Sequence, residues 1–288
     1  MHAAVRAVAL TVLMIFMTAT TSASAAAPTL GSAPDWSRVD GAVPHGAGHA
    51  IPLKAETPAW FTDELAARVD AANGAPVAAP NDAPLPGEVG IRPGSWMIAP
   101  AGCTMNFVFG SPGSYSIGTA GHCGAAGEEV VLLTLAPGGA NPVLVELGTI
   151  QRSVDGGVGN DFAIVSIRPE LQSWVSPTIA IVAGPCGSYT GSGPEPVFHY
   201  GHGLAIGTGG TPRAGLALTW QADAFGWSGA ASPGDSGSAV RVNTGMQAAG
   251  DLTHLVVDTN WLPSYIAGTR MSRVLQIAGQ PLANSPLC

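Results

Sequence analysis

From Gly90 onward the apolar residues come in short runs, each bounded by glycine, proline or serine. The first set of candidate strands is Thr104–Phe109, Tyr115–Ala120, Glu129–Leu135, Val143–Gln151 and Phe162–Ile167. A second set, after Arg168–Pro177, is Thr178–Val182, Val197–Gly201, Leu216–Gln221, Ser238–Val242 and Thr253–Val257. Many short strands at such spacing predict a barrel or a sandwich. After a further run at Ile266–Met271, Ser272–Ala278 is predicted to form a short terminal helix. No internal repeat is visible.

Residues 26–89 read differently, being rich in alanine, proline and glycine. They contain one predicted helix, from Thr57-Pro58 to Asn73-Gly74, with Thr57 as cap, Pro58 in the first turn and Asn73-Gly74 as the stop. Trp60, Phe61, Leu65 and Val69 would form its apolar face. The region is either a propeptide, assisting folding or masking a site, or a flexible spacer; the first is preferred. Ala75–Gly87, with four prolines, reads as a linker exposed to cleavage. At the start, Arg6, the apolar run Ala7–Met17 and Ala23-Ser24-Ala25 form the three parts of a secretory signal over residues 1–25. The run is too short to span a bilayer comfortably, and no later segment is long enough. The expected product is a secreted, soluble monomer whose main domain is 90–288.

Composition narrows the partners. The chain has 288 residues, 39 glycines and 24 prolines, 10% charged residues and a net charge of −8. That suits strands and tight turns. From Gly90 on there are seven arginines, eleven acids and no lysine, so the basic stripe that nucleic acid requires is missing.

Three motifs carry candidate chemistry: Thr119-Ala120-Gly121-His122-Cys123, Gly159-Asn160-Asp161-Phe162-Ala163-Ile164-Val165 and Pro233-Gly234-Asp235-Ser236-Gly237-Ser238. They supply a histidine, an aspartate and a serine. A serine hydroxyl is a poor nucleophile until a base takes its proton. An imidazole can take that proton and pass it to a leaving amine, and a carboxylate fixes the ring's tautomer. The order His, Asp, Ser differs from that of subtilisins and α/β-hydrolases. Asp155 and Asp258 lack the apolar run that would carry a carboxylate inward as Phe162–Val165 does for Asp161.

These motifs resemble those of the chymotrypsin-like serine proteases, most of all the bacterial streptogrisin-type branch, over roughly residues 90–280. Ser238 stands where that family usually has glycine. The resemblance implies an all-β fold of two six-stranded antiparallel β-barrels with a short C-terminal helix and the site between the barrels. It implies a secreted serine endopeptidase acting on polypeptides through His122, Asp161 and Ser236, with no metal or organic cofactor. The backbone N–H groups of Gly234 and Ser236 would form the oxyanion hole, each donor worth ~3 kcal/mol. The Thr253 hydroxyl would help solvate Asp161. Ala230 would lie at the base of the primary pocket, where no aspartate waits for a basic side chain. An apolar or small substrate residue ranks first and glutamate second, the latter if His254 reaches the pocket. His254 either lines the substrate groove or is a half-buried strand residue. Asp235 has no familiar new N-terminus to pair with, which leaves an internal arginine as its partner.

Four cysteines in an exported chain read as two disulfides, with three possible pairings. The resemblance favours Cys103–Cys123, leaving Cys186 with Cys288 to pin the tail. His199 and His202 suggest a metal pair but lack a third ligand, and His2, His45 and His49 lie upstream of the domain. Two other classes stay open: a protease-fold binding protein without turnover, and an esterase.

Overall fold

A computed structural model describes residues 36–203 and 210–288; the expected export signal lies outside them. Along the chain come β1 (Val43–His45), β2 (Gly48–Pro52), α1 (Asp63–Ala71), β3 (Val77–Ala78), β4 (Trp96–Ala99), β5 (Cys103–Thr104), β6 (Val108–Phe109) and β7 (Ser116–Thr119). Then follow β8 (Glu129–Leu135), β9 (Pro142–Asp155), β10 (Asp161–Ser166), β11 (Glu195–Gly201), β12 (Thr211–Trp220), β13 (Ala224–Gly229), β14 (Ala239–Val242), β15 (Ala248–Val257), β16 (Pro263–Arg270) and α2 (Met271–Ala278). Among the described residues no helix is long and apolar enough to cross a membrane.

The strands form two antiparallel sheets. In the second, β15, β14, β11, β12, β13 and β16 follow in order, and β16 pairs back onto β15 to close a six-stranded barrel. The first runs β5-β4-β8-β9-β10-β7-β6. Its ends meet through irregular bonds rather than a ladder: Gly94 donates to Met105 and Met105 to Ser95, while Asn106 donates to Gly118 and Gly118 to Phe107. The chain leaves the ladder at Thr104 because that residue serves the other barrel. Its N–H donates to the Ser236 carbonyl (2.8 Å), and its hydroxyl donates to the Gly234 carbonyl (2.8 Å). The fold is thus the expected two-barrel one, with the first barrel closed irregularly at the seam.

Each barrel has its own apolar core. Met97, Val108, Ile117, Leu132, Val145 and Val165 belong to the first, and Val197, Phe225, Trp227, Val240 and Leu252 to the second. Phe107, Phe109 and Phe162 join α2 (Met271, Val274, Ile277) in a third cluster. Gly279, left-handed at φ 66°, caps α2, which ends at Ala278 as expected and begins one residue earlier, at Met271.

Three local expectations shift. Thr178–Val182 is not a strand: Ile181 takes φ 63° and Ala183 φ 58°, which breaks extension. The helix begins at Asp63 instead of Pro58, because Thr62 is the cap, accepting from Leu65 N–H (3.3 Å), and Asp63 and Glu64 follow in the first turn. Leu65 and Val69 dock it on Trp96, Ile98, Leu133 and Leu144, with Trp60 and Phe61 packed alongside. Within the expected linker, β3 pairs with β9. Just beyond it Glu88, almost fully buried, accepts from Trp96 N–H (3.2 Å) and from the Tyr200 hydroxyl (3.3 Å).

Candidate active site

β10 pairs with β7, placing Asp161 at its start beside the tight turn Gly121–Cys123 that follows β7. A side chain at Gly121 would meet the Val154 carbonyl at 2.0 Å, so only glycine lets the turn come this close. The fully buried Asp161 then receives His122 twice: from the backbone N–H to Oδ1 (3.1 Å) and from Nδ1 to Oδ2 (2.6 Å). A carboxylate can only accept, so the ring proton sits on Nδ1 and Nε2 is left with its lone pair. Burial pushes the Asp161 carboxyl upward. The adjoining His122 ring, its two hydrogen bonds and the nearby His254 outweigh that and hold it below its ordinary value. Thr269 steadies the aspartate's backbone, accepting from its N–H (3.1 Å) and donating to its carbonyl (2.9 Å).

Ser236 comes from the other barrel, on the loop between β13 and β14. Its Oγ lies 2.6 Å from His122 Nε2 and 3.0 Å from the Thr253 carbonyl. The loop is tied down by Asp235, which is fully buried, pairs with Arg213 and accepts from the N–H groups of Gly203 (2.9 Å) and Ser232 (2.8 Å). An internal arginine thus occupies the partner position of Asp235. Gly234 has φ 106°, a conformation that turns its N–H toward the same side as that of Ser236. Both N–H groups donate to one oxygen, the carbonyl of Leu53, at 2.7 and 3.1 Å.

Both disulfides form as expected, Cys103–Cys123 across the turn bearing His122 and Cys186–Cys288 at the tail. The Thr253 hydroxyl does not turn to Asp161; it donates to the Ala267 carbonyl (3.3 Å) and lies 2.9 Å from His254 Nδ1. His254 is more deeply buried than the half-buried strand residue expected. It is a buried strand residue whose ring lies 5.4 Å from that of His122, and it borders a cleft with Pro52 and Lys54. Burial pulls its pKa down to about 4 against the opposing pull of Asp161, so the ring is neutral at neutral pH. Ala230 is exposed, its carbonyl 3.3 Å from His199 Nε2, while Ala231 packs on the cluster that contains Leu53. His202 faces Glu88 (3.2 Å) and stacks on Trp96. Of the two groups among the described residues with metal-ligating atoms near one another, His122, Asp161 and His254 form the site just described. In the other, Asp70, Glu129 and Glu146, Glu146 is already paired with Arg168.

Sequence reasoning missed Leu53, Thr104, Thr269, Arg213 and Glu88. Only Arg213 had a signal, the need of Asp235 for a cation.

No family model and no curated protein matches the sequence. Among solved structures the chain is similar to Thermobifida fusca protease A, at 19% identity over 68% of this chain and 100% of that one (TM-score 0.46). It is similar to a Nocardiopsis protease at 20% identity over 69% and 99% (TM-score 0.46). A glutamic acid-specific serine protease described as using a histidine triad in substrate binding is 17% identical over 67% and 100% (TM-score 0.46).

Proposed function

We propose that this chain is an exported serine endopeptidase that cleaves peptide bonds through an acyl-enzyme. The observation that carries the reading is one continuous relay from Asp161 through His122 to Ser236 Oγ, with two links of 2.6 Å, ending beside two N–H groups that meet on one carbonyl oxygen. His122 Nε2 takes the hydroxyl proton as Ser236 attacks a carbonyl carbon. The Gly234 and Ser236 N–H groups hold the oxyanion, and His122 passes its proton to the leaving amine. Water then deacylates the serine through the same base. Asp161 stays ionised throughout, which the His122 ring and its two hydrogen bonds favour against the opposing effect of burial.

The substrate preference is for an apolar residue on the acyl side of the bond. Leu53, whose carbonyl lies on the two donors, has its side chain fully buried in an apolar cluster with Val197, Trp227 and Val240. Two disulfides are consistent with an oxidising compartment.

The test is a mass-spectrometric digest of a diverse peptide library with the processed protein and with Ser236→Ala and His122→Ala. Cleavage after leucine and similar residues is expected, falling at least ~10⁴-fold in either variant. Hydrolysis that persists in His122→Ala would sink the mechanism. Turnover of esters but not peptides would make the protein an esterase, and no turnover at all a binding protein.

A further inference from the structure

The active-site cleft is filled by the protein's own chain. β2 adds to the C-terminal half of β15, antiparallel, with His49 opposite Val257, Ile51 opposite Leu255 and Pro52 opposite His254. Past the strand, Leu53 donates to the Thr253 carbonyl (3.1 Å) and places its own carbonyl on Gly234 and Ser236. Two residues later the chain reaches the other barrel, where Ala55 and Gly102 exchange N–H···O bonds of 2.7 and 2.8 Å. Ile51–Ala55 therefore crosses the seam with backbone bonds on both sides of the Leu53–Lys54 peptide. The hairpin of β1 and β2 is pinned by His49 stacked on Trp261 (4.3 Å) and by His45 Nε2 against the Tyr265 hydroxyl (3.2 Å). Lys54, the chain's one lysine, bonds the His122 carbonyl through Nζ (3.1 Å).

A strap holding the barrels together would need the edge-strand bonds alone. It would not need one carbonyl oxygen on the two N–H groups that the left-handed Gly234 presents, beside a serine already bonded to its base. We propose that Leu53–Lys54 is the protein's own processing site, cut by Ser236 of the same molecule, and that the piece ending at Leu53 blocks the cleft as bound product until it is displaced. The inference rests on the peptidase reading. Ser236 Oγ bonds to the Leu53 carbonyl carbon as its proton passes to His122. The Leu53–Lys54 C–N bond then breaks, and His122 gives that proton to the Lys54 nitrogen, which becomes a new N-terminal amine. Water adds to the acyl carbon, losing a proton to His122, and the ester bond breaks with return of that proton to Ser236, leaving a Leu53 carboxylate. The cut falls upstream of the expected linker Ala75–Gly87. α1, β3 and Glu88, all packed on the barrels, stay with the enzyme.

The experiment uses the full-length chain in an exporting host, read by intact mass and N-terminal sequencing. Wild type should yield an N-terminus at Lys54 at a rate independent of protein concentration, and Ser236→Ala, a change too small to disturb folding, should remain joined there. Leu53→Asp should slow the cut at least ~100-fold by bringing a charge into an apolar pocket, and Leu53→Met should retain it. A synthetic Gly48–Leu53 peptide with a free carboxylate should inhibit hydrolysis of a leucyl peptide competitively. Wild type that hydrolyses such a peptide but never shows the Lys54 N-terminus overturns this inference and leaves the peptidase reading intact. Failure of both wild type and Leu53→Asp to hydrolyse any peptide or react with a fluorophosphonate overturns both.

Discussion

Gly234→Ala adds a single methyl group where the backbone leaves no room for it. The new Cβ would lie 2.6 Å from the His202 carbonyl oxygen and 3.2 Å from its carbon, and neither is the tip of a flexible side chain. Residue 234 would have to leave φ 106° or stay there at a cost of about 1–3 kcal/mol. It cannot slide freely, because its carbonyl is held by the Thr104 hydroxyl at 2.8 Å. The expected result is rotation of the 234 peptide and loss of one oxyanion donor, lowering kcat ~10²–10³-fold. KM should change little, since these donors act mainly on charge that develops in the transition state. The assay is steady-state hydrolysis of a leucyl peptide by processed protein, with thermal unfolding as the control for fold. Self-cleavage at Leu53 should slow by a similar factor, because the same donors hold its carbonyl. A variant with kcat within roughly threefold of wild type and a normal melting profile would refute the assignment of Gly234.

Two further predictions concern buried titratable groups. Asp251 is fully buried, and burial, reinforced by the charge of Asp161, raises its pKa well above the ordinary carboxylate value against the opposing pull of its own backbone and Thr269. A raised folded pKa means that the native state holds the proton longer, so stability falls as pH climbs above the unfolded value. Asp251→Asn should therefore melt higher than wild type at pH 8, with the gap closing near pH 4; an isothermal or widening gap toward acid would contradict this. His199 and His254 shift the other way, each lowered by burial to about 4. The unfolded chain then binds more protons between about 4 and 6.5, and stability is lost as pH falls through that window, by ~3 kcal/mol per histidine. Urea unfolding at pH 7 and pH 4 should show that loss, and His199→Gln should remove about one histidine's share of it.

The parts of this molecule legible in the sequence are those written locally. His122, Asp161 and Ser236 each sit in a short motif whose neighbours explain them, although 39 and 114 residues separate the partners. Long strands such as β8 and β9 stand out through their Val- and Leu-rich stretches. β4, four residues between Gly94-Ser95 and Pro100, and β13, whose Ala-Phe-Gly-Trp alternation is diluted by glycine, do not. Thr57 followed by Pro58 reads as a helix cap in sequence; in the fold its hydroxyl donates to the Pro100 carbonyl (3.3 Å), and Thr62 caps. Arg213 could be anticipated as a type of residue but not as a position, since it stands 22 positions before Asp235 with most of β12 and all of β13 in between.

Leu53 had no signal of that kind, for a physical reason. A segment that adds to a sheet edge is recognised through its backbone, and every sequence carries the same N–H and C=O groups. Its side chains need only be compatible: Ile51 and Leu53 fit the apolar cluster, and Pro52, which cannot donate, is the last residue of β2. None of that marks Ala-Ile-Pro-Leu-Lys as different from other apolar stretches in the chain. What singles out Leu53 is the convergence of two N–H groups, the nearer of which, on Gly234, lies 181 residues later in sequence. Occupation of the cleft is therefore a tertiary property, and so is its location. The same strand bonds that would align a foreign peptide hold this one with its carbonyl at the nucleophile, so blocking the site and presenting a bond for cleavage are consequences of a single arrangement.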